Sequence, residues 1–192
     1  LSNKYIFWDI DGTLAPYRFN GHTADPEGTN NGMSLKEIDE HVFLCRAPSQ
    51  HMQHVIDTCQ AKQHLVMGHC QVKSEMQDKQ IWLNAHFPMI KERLLVYEDQ
   101  SKADTILQYC GEHNIDLKDV VFVDDVIPFL REAERKGIKS FHISSFLDWN
   151  YQDGFLFDGI GFKNLEDPED DATNAQLEKI KFDDSYHKPF RY

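Results

Sequence analysis

Short apolar runs alternate along this chain with stretches whose apolar positions recur every three or four residues. Residues 4–8 (Lys4, Tyr5, Ile6, Phe7, Trp8) are β-prone and stop abruptly at Asp9, which predicts a buried strand followed by a loop. Met52, Val55, Ile56 and Cys59 fall at i, i+3, i+4 and i+7, one stripe of a helix. Residues 64–67 read as a strand closed by Gly68. Ser74 and Gln77 have capping-box spacing and open a helix through Trp82 and Leu83 toward Phe87. Residues 93–97 form the next strand. Ser101 caps a helix with Ala103, Ile106, Leu107 and Cys110 on one face. Val120 to Val123 is a wholly apolar strand ended by Asp124 and Asp125. A helix with Phe129, Leu130 and Ala133 stops at Gly137, and residues 138–143 make a last strand. Apolar strands alternating with helices of about three turns imply an α/β domain. The expected fold is a three-layer sandwich with a mainly parallel, doubly wound (Rossmann-like) sheet, helices covering both faces. The first strand should lie centrally, beside the strand that ends at Asp124.

Two stretches break this rhythm. Residues 20–34 are rich in Gly, Asn, Thr and Asp and lack periodicity, the pattern of a long polar loop. They belong to an insert over residues 15–48, expected to be a flap or minimal cap on a core domain spanning 1–165. Residues 166–192 form an acidic tail with few apolar groups, expected on the surface or partly loose, with room for one short helix over 173–182.

Composition narrows the choice of partner. Of 192 residues 41% are hydrophobic, and 13 are Phe, enough for a packed core. The net charge of −12 repels nucleic-acid phosphates and anionic membranes, so neither is an expected partner. A small phosphorylated substrate stays open, because a bound cation can invert the local charge. Cys45, Cys59, Cys70 and Cys110 show no paired spacing and read as free thiols of a cytoplasmic protein. The first residues lack a signal-peptide layout, and no apolar run has the length of a membrane span.

The chemistry concentrates at two strand ends. Asp9 and Asp11 follow the first strand, and Asp124 and Asp125 follow a later one. Open parallel sheets bind ligands at the carboxyl ends of their strands. Four acids gathered there repel unless a positive charge sits among them, and a hard oxygen-seeking cation such as Mg²⁺ answers that need.

Asp9, Ile10, Asp11, Gly12, Thr13 and Leu14, with the apolar strand before them, resemble the first motif of the haloacid dehalogenase-like phosphohydrolase superfamily. Val121 to Asp125 is similar to its fourth motif in double-Asp form, and Lys102 to its third-motif lysine. The resemblance spans roughly residues 4–146. It implies a phosphomonoester hydrolase that needs Mg²⁺. By that resemblance Asp9 is the nucleophile that becomes an aspartyl-phosphate, and it also touches the metal. Asp11 is general acid then general base, with its backbone carbonyl on the metal. Lys102 offsets phosphoryl charge, and Asp124 and Asp125 hold the ion directly or, for Asp125, through water. Gly12 permits a sharp turn, and Thr13 is expected to tie that turn with its hydroxyl.

One position departs from the family pattern. The second-motif hydroxyl is expected at the end of the strand over 64–67, where this chain carries Met67 and Gly68. Met offers no useful donor. Backbone amides at Gly68 and His69, or the His69 ring, are the expected substitutes. Arg46, at the end of the insert, is a candidate contact for a substrate anion. Lys73 and Lys79 are passed over because they precede the wrong strand. His41, His51, His54, His64 and His86 read as solvated or satisfied rather than as metal ligands. The missing hydroxyl keeps a second reading open, a non-catalytic phosphate- or partner-binding module, and a phosphotransferase or phosphomutase is a third. Substrate identity and oligomeric state are not legible.

Overall fold

A computed structural model describes residues 4–16, 38–97 and 99–147. The polar loop, most of the insert and the acidic tail with its candidate helix lie outside the described residues. Among the described residues, five strands and four α-helices build the fold: β1 (Tyr5–Trp8), α1 (Gln50–Thr58), β2 (Gln63–Cys70), α2 (Lys73–His86), β3 (Glu92–Tyr97), α3 (Lys102–Glu112), β4 (Val120–Asp124), α4 (Ile127–Arg135) and β5 (Lys139–His142). The five strands form one sheet in the order β3-β2-β1-β4-β5, with every neighbouring pair parallel. Helices flank it, so the α/β Rossmann-like sandwich is the fold observed, and β1 lies centrally beside β4 as the pattern predicts.

Burial follows from that position. β4 is buried along its whole length, including Asp124 at its end. One face of the sheet places Phe7, Leu65, Met67, Val96 and Phe122 against Ala103, Ile106 and Cys110 of α3 and Leu130 and Ala133 of α4. Successive strand residues point to opposite faces, so Ile6, Trp8, Val66 and Val123 are buried on the other side. There Trp8 meets the edge of Phe146 at 5.5 Å and donates from Nε1 to His64 Nδ1 at 3.1 Å. The cores of α1 (Met52, Val55, Ile56) and α2 (Trp82, Leu83) are also buried.

Helix ends mostly follow their sequence signals. Ser101 Oγ accepts from the Asp104 amide at 3.1 Å, and Gly137, with φ +84°, takes the left-handed conformation just past α4. The start of α2 differs. Its N-cap is Val72 without a side-chain cap, and Ser74 is already inside the helix. Glu75 does the capping instead, its Oε2 accepting from the Gln71 amide at 2.6 Å.

β2 also runs further than expected. Gly68 lies inside the strand, in register with Leu95, and pairing with β3 continues to Cys70 opposite Tyr97. Gly68 is there for space: a Cβ would stand 2.6 Å from Ile10 Cδ1. The strand therefore carries its side chains two residues past the point where its apolar run appears to stop.

Candidate active site

The sheet order sets the site. β1 and β4 are adjacent and parallel, with Trp8 opposite Val123, so Asp9 and Asp124 emerge side by side. The Asp9 amide still donates to Val123 O at 2.9 Å, which fixes the first acid to the neighbouring strand. The chain then turns at Gly12, φ +73°, whose amide donates to Ala15 O at 2.9 Å. This sharp turn brings Asp11 back toward the same edge.

Carboxylate oxygens of Asp9, Asp124 and Asp125 all lie within 4.8 Å of one another. Lys102, at the first turn of α3, reaches between two of them: Nζ donates to Asp9 Oδ1 at 2.5 Å and to Asp124 Oδ2 at 2.8 Å. The second oxygen of Asp124 accepts from the Val126 amide at 2.8 Å, tying the turn into α4. The Asp125 Oδ1 atom is buried with no hydrogen-bond partner. His142 braces that turn, its Nε2 lying 3.0 Å from Asp125 O.

The electrostatics of this cluster are unbalanced. Three carboxylates face one ammonium. Burial first, then the Asp124 charge, push the Asp9 carboxyl up to about 7, despite Lys102. Burial and then Asp9 push Asp125 up to about 6. Burial also raises Asp124, against the opposing pull of Lys102. Crowded acids that resist ionising together are a signature of functional sites. A divalent cation would restore neutrality to three acids and one lysine. The all-oxygen donor set and the unpartnered Asp125 oxygen both fit a hard ion such as Mg²⁺.

A second group of charges adjoins the first and is balanced. Asp11 Oδ1 accepts from Arg46 Nη1 at 2.9 Å, and Asp11 Oδ2 meets Lys79 Nζ at 2.6 Å. Lys79 also bonds Glu75 Oε1 at 2.7 Å and the His69 carbonyl at 2.6 Å. Two carboxylates thus face two cations. Burial works to raise the Asp11 carboxyl, but Lys79 and then Arg46 outweigh it and hold it below the ordinary carboxylate range. Burial likewise disfavours the Lys79 charge, and Asp11 and Glu75 more than offset that.

The residue-by-residue outcome is mixed. Asp9, Asp11, Lys102, Asp125 and His69 line one cavity, with Val126 and Phe129 as its apolar wall. Asp124 stands just behind, fully buried. The Asp11 carboxylate is outside the three-acid cluster and is occupied by Arg46 and Lys79. Arg46 reaches the site, but through Asp11. Thr13 is buried and its hydroxyl has no partner, so the turn is held by backbone bonds, with the Thr13 amide donating to Ile10 O at 3.3 Å. Met67 and Gly68 do not line the cavity. Met67 faces the core on the α3 and α4 side, and Gly68 is packed on Ile10. The β2 side chain in the cavity wall is His69, because the strand runs on to Cys70.

Lys79 and Glu75 are not among the candidates that the sequence pattern singles out. A signal was present: Glu75, Asp78, Lys79 and Trp82 fall at i, i+3, i+4 and i+7, the spacing of a buried stripe, and all four are buried. Asp78 meets His41 Nδ1 at 3.0 Å, and Trp82 Nε1 donates to Arg46 O at 2.7 Å. Phe43 packs edge-on against Trp82 at 5.5 Å, with Arg46 and Lys79 both over its ring. The last residues of the insert are therefore docked on α2, and that docking carries Arg46 to Asp11. The histidines at 41, 51 and 64 are satisfied as expected: His51 Nε2 meets Phe146 O, beside the His41–Asp78 and His64–Trp8 contacts. The four cysteines are free thiols, only Cys45 exposed, and no helix among the described residues is long and apolar enough to cross a membrane.

No family model matches the chain, and no curated protein matches it. It is similar to solved structures. One is a haloacid dehalogenase-like family hydrolase from Streptococcus pneumoniae, 16% identical, covering 79% of this chain and 91% of that one, with a TM-score of 0.47. Another is the N-terminal part of a Bacteroides fragilis protein, containing a phosphatase domain and complexed with Mg. It is 15% identical, with a TM-score of 0.46, and the alignment covers 81% of this chain but 40% of that one.

Proposed function

We propose that the protein is a Mg²⁺-dependent phosphomonoester hydrolase of the haloacid dehalogenase-like type, acting on a small phosphorylated substrate through an aspartyl-phosphate at Asp9. The observation that carries this reading is the convergence of Asp9, Asp124 and Asp125 within 4.8 Å, with Lys102 bonded to two of them at the edge of a cavity.

The chain's own groups account for both halves of the reaction. An Asp9 carboxylate oxygen attacks phosphorus; the O–P bond forms as the bond to the leaving oxygen breaks. Lys79 and Arg46 hold Asp11 ionised, so it first takes up a proton, from solvent or from the phosphate monoanion, and then gives it to the leaving oxygen. In the second half Asp11 takes a proton from water, which attacks the phosphoryl group, releases phosphate and restores Asp9. Lys102 stays on Asp9 and offsets the charge that builds on the phosphoryl oxygens. Asp9, Asp124 and Asp125 would hold Mg²⁺, which supplies the positive charge that lets buried acids and a phosphate dianion share one site. Val126 and Phe129 give the leaving group an apolar wall.

The binding-module alternative rests on the missing second-motif hydroxyl. Met67 faces the core, and the β2 side chain at the cavity is His69, which is the candidate donor in place of that hydroxyl. The test is a panel of phosphomonoesters assayed with Mg²⁺ and with EDTA. The proposal expects phosphate release that needs Mg²⁺. A folded protein that releases none across a broad panel contradicts it.

A further inference from the structure

Lys79 is a buried ammonium inside a helix that the proposed chemistry does not use. Its three N–H donors are matched by three acceptors: Asp11 Oδ2 at 2.6 Å, Glu75 Oε1 at 2.7 Å and His69 O at 2.6 Å. With those bonds in place no donor is left over for a phosphoryl oxygen. The acceptors are themselves fixed. Glu75 Oε2 takes the Gln71 amide, which sets Glu75 at the head of α2. The His69 carbonyl belongs to β2. Lys79 is thus held by one helix and one strand, and spends its remaining bond on Asp11.

Asp11 depends on that bond. It immediately precedes the left-handed Gly12 in a turn rather than sitting within one of the five strands, and its side chain is partly exposed. Its other oxygen is held by Arg46, which arrives from the insert side. Of the two described ion pairs of Asp11, the one from Lys79 is the one whose cation is buried and bonded on its other donors to α2 and β2.

We propose that Lys79 is a positioning residue: anchored by Glu75 and the His69 carbonyl, it holds the Asp11 carboxylate in the orientation from which it passes a proton to the leaving oxygen. This rests on the phosphohydrolase reading. A purely structural Lys79, present only to neutralise Glu75, would make no distinction between leaving groups. A positioning role does. A poor leaving group, such as an alkoxide, needs the proton from Asp11; dinitrophenolate does not.

The experiment compares kcat/KM for a simple alkyl phosphate and for dinitrophenyl phosphate in Lys79→Met, Lys79→Arg and the double variant Glu75→Gln/Lys79→Met. The double variant leaves no buried Glu75 charge unpaired if Lys79→Met folds poorly. Misplacing a reacting group by about 1 Å costs about 100-fold. The alkyl phosphate should lose about that factor in Lys79→Met and in the double variant, and dinitrophenyl phosphate less than about 10-fold. Lys79→Arg should recover part of the loss. Equal losses for both substrates, or no loss in a folded variant, overturn the proposal. A crystal structure of the double variant gives a readout that needs no turnover. The proposal expects the Asp11 carboxylate displaced or split between orientations; an unmoved carboxylate overturns it. If the unmodified protein hydrolyses neither substrate, the phosphohydrolase reading fails, and the Asp11 position still decides whether Lys79 holds it.

Discussion

Lowering the pH from about 8 to about 5.5 should remove most of the stability that Mg²⁺ gives this protein. The cause is the cluster of Asp9 and Asp125, whose carboxyls are pushed up to about 7 and about 6. Both exceed the value of 3.8 expected in the unfolded chain, so between pH 4 and 7 the folded, metal-free protein binds protons that the unfolded chain has released. Stability from this cluster is present at low pH and lost as pH rises through the folded values. Mg²⁺ reverses the balance at high pH, but must displace those protons at low pH. Treating the two acids as independent, protonation at pH 5.5 lowers Mg²⁺ affinity by a factor of about 30 at Asp9 and about 4 at Asp125, together about 100-fold. At a Mg²⁺ concentration 100 times the dissociation constant at pH 8, the stabilisation there is about 2.7 kcal/mol. At pH 5.5 the same concentration gives about 0.4 kcal/mol. For a chain of this size, the melting temperature should rise by about 5–10 °C at pH 8 and by about 1 °C at pH 5.5. Thermal melts with Mg²⁺ and with EDTA at both pH values measure this. Equal shifts at the two pH values would refute the electrostatic account, and no shift at millimolar Mg²⁺ at pH 8 would refute the site.

Three further perturbations probe separate parts of the structure. Lys102→Met removes the only cation bonded to both Asp9 and Asp124 among the described residues, and should lower kcat by about 10²–10³ in a steady-state phosphate-release assay; an unchanged rate would remove Lys102 from the site. Gly68→Ala places a methyl group 2.6 Å from Ile10 Cδ1 and 3.1 Å from Leu95 Cδ2, in a packed interior. It should cost about 1–3 kcal/mol in urea unfolding and lower activity by moving Ile10 between Asp9 and Asp11; an unshifted midpoint would show that the strand yields freely. Trp82→Phe keeps an aromatic side chain but shrinks the buried ring system and deletes the donor to the Arg46 carbonyl. It should cost about 1–3 kcal/mol, and a neutral result in the same unfolding assay would mean that water replaces the bond.

The parts of the fold set by strong local patterns were legible before any coordinates. β4 is five residues buried on both faces, so its apolar run could only be a central strand, and its end had to lie beside the end of β1. Asp9, Asp124 and Asp125 follow from that adjacency, and Lys102 from the resemblance to the family's third motif. The second-motif position was misplaced because β2 was ended at its first glycine. Gly68 has a packing role against Ile10, and the edge strand β3 continues to pair beyond it. That extension moves His69, not Met67, to the cavity. Lys79 and Glu75 are hard to read because a buried stripe made of charged residues looks like a solvated helix face. α2 buries charges that satisfy each other, a pattern visible only when the partner, Asp11, is known to lie across the cavity. Arg46 reaches the site through Asp11, a partner the sequence does not show because it depends on Phe43 and Trp82 docking the end of the insert onto α2.

The central claim is that Asp9 itself attacks phosphorus, and Asp9→Asn tests it most directly. The substitution keeps the side-chain shape and removes the nucleophilic carboxylate. With a generic aryl phosphate and saturating Mg²⁺, the account predicts turnover by the original protein and none by a folded Asp9→Asn variant. Turnover retained in that variant would contradict it.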